Sequence, residues 1–206
     1  MDEFRERMAA LEAFAPTVGL EYSAEDTVGL DDAPFRLIQS GHRHLIGNVM
    51  WGWWRVCEAI AFDLHHWSLA PGPYSTGLTT RELAFTCATT TIPLDLPWAS
   101  IEPRGEVVLG AHLRYMVKGW THRLVPGFRV ATDDEPRTSS LLRGRIANWL
   151  HSSSEDYAFE VTSLAILCFA KQREPEEISR MLDVLVDFRE LLLQADHAVR
   201  NAGAGE

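Results

Sequence analysis

Between Gly127 and Leu150 the hydropathy pattern changes period, and that change constrains the fold more than any other feature. Phe128, Arg129, Val130, Ala131 and Thr132 form a β-prone run; Asp133 and Asp134 follow, and Pro136 opens an amphipathic stretch. Proline fits the first turn of a helix, where its missing N–H costs nothing, and Asp133 or Asp134 can cap the free amides. Between Phe35 and Thr132 the apolar residues recur every second position. After Pro136 and again after Pro175 they recur at helical spacing. Strands grouped together with helices at the ends predict an α+β fold built on an antiparallel sheet, as opposed to alternating βαβ units.

The remaining elements follow from the same patterns. Phe4, Met8, Leu11 and Ala15 predict an N-terminal helix over 2–15, stopped by Pro16. Strands are expected at Phe35–Gln39, Leu45–Trp51, Val56–Trp67 and Glu82–Thr91, with a loop or hairpin tip at Ala70–Thr80. Three prolines keep Ile92–Gly105 from being a central strand throughout. Short strands are expected at Val107–Leu109, Leu113–Val117 and Phe128–Thr132, followed by one helix near 136–150. A hairpin over Tyr157–Ala170 then leads into a long helix from Pro175 to about Val199. The expected organisation is an N-terminal helix and connecting arm (1–34), a single α+β domain (35–200) and a disordered tail (201–206).

The chain has 206 residues, 46% hydrophobic and 23% charged, which is enough to bury a substantial core. Its 19 basic and 29 acidic residues leave a formal charge of −10 and no Lys/Arg run. Phosphate backbones and anionic membranes both reward clustered cations, so nucleic-acid binding is disfavoured. Cys57, Cys87 and Cys168 are odd in number, widely spaced and set in apolar stretches, which predicts buried reduced thiols and not a disulfide or zinc framework. The charged N-terminus and the short apolar runs predict no membrane insertion and a cytoplasmic location.

A series of short motifs runs in order through most of the chain. It begins with Ser40, Asn48-Val49 and Gly52, then Ala61, Phe62 and Asp63 near the end of a long strand. Phe85 to Ala88, Leu96-Pro97-Trp98 and Ile101 to Gly105 follow. The series closes with Phe128 to Val130 before Asp133-Asp134, and with Leu141-Leu142 through Trp149-Leu150. In that order and over about Phe35 to Leu192, the chain resembles a bacterial, actinobacterial-type domain family similar to the domain of unknown function 3137. The resemblance implies a shared fold. Members often carry membrane helices ahead of this domain, and the family brings no activity or catalytic residues to transfer.

The residues that could carry chemistry are few. His42 and His44, and likewise Asp63 and His65, stand two apart on a strand and so share a face. If the strands pair, these four could converge on a divalent metal. Helix capping accounts for Asp133 and Asp134, and no Gly-x-Ser-x-Gly elbow accompanies any serine. Trp51, Trp53, Trp54 and Trp67 crowd one strand–turn–strand stretch. Gly52 between indoles points to a close passage of another backbone or ligand. Trp53, Trp54 and Arg55 together have a composition enriched at binding hot spots.

The expected function is therefore a non-catalytic binding or protein-interaction domain without a cofactor, with a protein partner or a second copy as its target. A small hydrolase or metal-dependent enzyme using Asp63 and the histidines is the first alternative. Self-assembly through Ile178–Ala195 is the second.

Overall fold

The computed structural model describes residues 2–39, 43–71, 78–104, 120–121, 124–153 and 156–203. Helix α1 (Asp2–Phe14) ends where Pro16 forces a 3₁₀ turn, and Gly19, with φ of +78°, lets the chain reverse into β1 (Glu21–Glu25). The stretch expected as a connecting arm thus supplies an edge strand. Asp26 then accepts the amides of Val28, Gly29 and Asp31, shaping the loop that follows.

Residues 36–39, expected as a strand, form instead a single helical turn, α2 (Arg36–Gln39). Phe35, Leu37 and Ile38 are all buried, a pattern that no half-buried strand gives. The backbone carbonyl of Phe35 accepts the amides of Ile38 and Gln39. The turn's amide donors at Arg36 and Leu37 are met by the carboxylate of Glu160, more than 120 residues away, so local pattern could not reveal it.

The long strands β2 (Arg43–Trp54), β3 (Cys57–Pro71) and β4 (Leu78–Thr91) form a meander, followed by β5 (Ala99–Pro103), β6 (Trp120–Thr121) and β7 (Phe128–Thr132). Asp134 caps α3 (Glu135–Leu142) by accepting the Arg137 amide, with Pro136 in the first turn as its chemistry requires. The helix expected over 136–150 is two helices. Gly144, at φ +67°, breaks it after α3, and α4 (Arg145–Ser153) follows. Hairpin β8 (Ala158–Thr162) and β9 (Ala165–Lys171) leads to α5 (Pro175–Gly203). The strands expected at Val107–Leu109 and Leu113–Val117 lie outside the described residues.

Among the described residues the sheet has nine strands in the order β1-β2-β3-β4-β9-β8-β5-β7-β6, all antiparallel. Its first face is covered by α1, α3, α4 and α5. Here Ala59, Ala61, Ala88, Ile101 and Cys168 pack against Leu11, Ile146, Leu182 and Phe188. The second face carries Val49, Phe62, Leu64, Phe85 and Phe169, covered by Leu30, Phe35, Leu37 and Ile38. The fold is thus α+β, with the helices massed on one side of the sheet. None of the described helices is long and apolar enough to cross a membrane.

Candidate functional site

A bulge in β2 determines which side chains meet. Gly47 pairs with Asp63 but Met50 pairs with Ala61, so Asn48 and Val49 together oppose Phe62. Asn48 sits in the left-handed region at φ +52°, which asparagine tolerates better than most residues. The extra residue inverts the alternation. Before it, odd-numbered positions of β2 face the helices; after it, even-numbered positions do.

One consequence is a buried polar hub. Asn48 is aimed at Asp63, donating from Nδ2 at 2.9 Å while accepting from the Tyr22 hydroxyl at 2.8 Å. Arg7 of α1 grips both carboxylate oxygens of Asp63 at 2.7 Å, and Thr86 adds a longer bond. The same guanidinium donates to the Arg173 carbonyl ahead of α5. Asp63 is a charge buried mid-strand, and it is satisfied by one guanidinium fork of two N–H donors, the Asn48 amide and the Thr86 hydroxyl. This hub fastens both terminal helices to the sheet.

The bulge also settles where the expected metal ligands lie. Asp63 and His65 face the helices, whereas His44 pairs with His66 on the second face. His44 meets Asp31, and His65 meets Glu82 and stacks beside Trp67. His42 lies outside the described residues. The structure does not bring His44 to Asp63 and His65, and no group of metal-ligating side chains occurs among the described residues. The thiols of Cys87 and Cys168 are buried, and burial pushes both well above their ordinary range, away from nucleophilic reactivity.

The tryptophan cluster divides in the same way. Trp54 faces the helices and donates to Asp183 of α5. Arg55, at φ +52° in the two-residue turn between β2 and β3, reaches Asp187 at 2.7 Å. These two residues clasp the hairpin tip to α5. Trp53 faces the other way, is 66% exposed, and bonds only back to the carbonyl of Arg55 through its indole N–H.

Among the described residues the second face is open beside Trp53, past the part of the sheet that Leu30, Phe35, Leu37 and Ile38 cover. Beyond it Trp51, Ile60, Thr89 and Ala165 line an apolar groove of about 300 Å³, bordered by Val28 and Glu58. Gly52 lines it too. A Cβ there would stand 3.1 Å from Leu20 and 3.4 Å from the Gly19 carbonyl, so the close backbone passage expected at this glycine is real. Exposed Val56 lies in the turn beside Trp53, and exposed Leu164 next to Ala165.

Sequence reasoning placed Trp53 in the candidate site but missed Trp51, Ile60, Val28 and Ala165. The signal was present in part: Trp51 and Ile60 belong to the period-two pattern. What covers them depends on the reach of the 28–39 segment, which no local pattern encodes.

Compared by sequence, the chain matches no family profile and no curated protein. Its fold is similar to the crystal structure of the mycobacterial trehalose monomycolate transport factor A, TtfA. The TM-score is 0.67 over 91% of this chain and 95% of that one, at 12% identity. At that identity the likeness extends to the fold alone.

Proposed function

We propose that this chain is a non-catalytic binding module whose contact surface is the open end of the second sheet face, centred on Trp53, Trp51 and Ile60. One observation carries the reading: an apolar groove with an indole standing exposed beside it, on a sheet face that Leu30, Phe35, Leu37 and Ile38 cover elsewhere. The groups offered for an enzyme are paired within the fold: Asp63 with Arg7, His65 with Glu82, His44 with Asp31. The self-assembly alternative loses its surface, because Ile178, Met181, Leu182, Leu185, Phe188 and Leu192 are buried in the chain's own core.

The fold neighbour is named as a transport factor, and an accessory binding role for this chain is in keeping with that name. Kinship with the bacterial family similar to the domain of unknown function 3137 belongs to the same proposal. So does a cytoplasmic setting, which the three free cysteines favour. The test is affinity purification from the native host with wild type, Trp53→Ala and a control at exposed Phe4. A partner retained by the wild type and by Phe4→Ala but lost with Trp53→Ala supports the reading. Retention of every partner by all three variants contradicts it.

A further inference from the structure

We infer that the occupant of the open groove is a cationic amphipathic helix of a protein partner, an inference that rests on the binding surface proposed above. The first argument is charge. Glu58 lines the groove and pairs in register with Trp53; Glu21 pairs with Trp51 on the same face, and both are exposed. Among the described residues no lysine or arginine lines the groove. Arg189 reaches the Thr91 carbonyl from the helix side, but it is paired with Glu190. An apolar floor with Glu21 at its β1 side and Glu58 among its lining, on a chain of formal charge −10, rewards an apolar stripe flanked by Lys or Arg and repels an anionic one.

The second argument is shape. The groove crosses β2, β3, β4 and the start of β9, three strand spacings of about 4.8 Å each, or about 14 Å in all. That span matches about nine residues of helix at about 1.5 Å each. An apolar sheet face is ordinarily covered by a helix layer. Elsewhere on this same face the chain covers itself with the helical turn α2. A strand partner would add at the edge strand β1, one strand beyond Trp51, and would leave the apolar floor on β2, β3 and β4 uncovered.

Two synthetic 14-residue helical peptides test the inference. They share one Leu/Phe stripe and differ only in Lys or Glu on the polar face. Affinities are measured by calorimetry against wild type, Trp53→Ala and Glu21→Gln/Glu58→Gln, at low and high salt, with neutral phosphatidylcholine vesicles as a further probe. The expected result is that the Lys peptide binds wild type and weakens as salt rises. It should weaken about tenfold or more with Trp53→Ala, and severalfold with the double Gln variant, while the Glu peptide does not bind. Equal binding of both peptides, or a Lys peptide indifferent to the double Gln variant yet lost with Trp53→Ala, overturns the choice of a cationic partner and leaves the apolar surface standing. Binding to vesicles alone assigns the groove to lipid and overturns the inference. Binding of neither peptide nor vesicles, or binding that Trp53→Ala leaves unchanged, overturns both the inference and the surface it rests on.

Discussion

Replacing Arg7 by methionine should destabilise the protein more than its position on an outer helix suggests. The substitution keeps most of the side chain's length and removes the guanidinium. Asp63, with its side chain 3% exposed, would then keep only Asn48 and Thr86 as partners for a buried charge. Removing one member of such a pair costs about 3–5 kcal/mol, because the other charge stays buried. With a urea dependence of about 3 kcal/mol per M for a chain of this size, the unfolding midpoint should fall by about 1–1.7 M. Adding Asp63→Asn should recover much of the loss, since a neutral amide can keep the bonds to Asn48 and Thr86 without a counter-charge. The assay is urea unfolding of the wild type, both single variants and the double variant. An Arg7→Met midpoint within about 0.2 M of wild type, equivalent to about 0.5 kcal/mol, would refute the hub as a determinant of stability.

Other outcomes follow from the packing. Phe188 is fully buried, with its ring 4.4 Å from that of Phe159, so Phe188→Ala should cost about 3–5 kcal/mol. Trp149, half-buried at the edge of the same cluster, should cost about 1–3 kcal/mol as alanine; thermal or urea unfolding of both checks the order. Burial pushes the Glu160 carboxyl above its ordinary value, opposed in part by the Trp98 indole and the Leu37 and Arg36 amides. A carboxyl raised in the folded state makes folding take up a proton, so its contribution to stability is fully present below the ordinary carboxylate range and is lost as pH rises through the raised pKa. Wild type should therefore lose stability relative to Glu160→Gln as pH rises from the ordinary carboxylate range through the raised pKa, measured by urea unfolding at each pH, and a constant difference would contradict the burial.

The class of fold was legible because the two periods are cleanly segregated along the chain. Pro16, Pro136 and Pro175 mark helix boundaries that the structure keeps. Three features were not legible from the hydropathy periods. Glu160 turns Phe35–Gln39 from a strand into a helical turn. Gly144 divides a continuous apolar stripe into two helices, because Leu142 and Ile146 are buried on both sides of the break. The Asn48 bulge sends the histidines to opposite faces, although period two alone would let them converge. Asp63 itself was a readable clue. A carboxylate between Phe62 and Leu64 in an apolar strand demands a counter-charge, and Arg7 on the N-terminal helix meets it. In the candidate site Trp53 was readable from composition, whereas the commitment of Trp54 and Arg55 to α5 needed the tertiary fold.

The central claim is that the open end of the second sheet face is where this protein meets its partner. A photo-crosslinking residue placed at exposed Val56, beside Trp53, and separately at exposed Leu45 and Val199, tests it most directly in the native host. The expected result is one discrete cross-linked species from position 56, suppressed by a second substitution, Trp53→Ala, and none in common with positions 45 and 199. The same species from all three positions, or a species at 56 unaffected by Trp53→Ala, would contradict it.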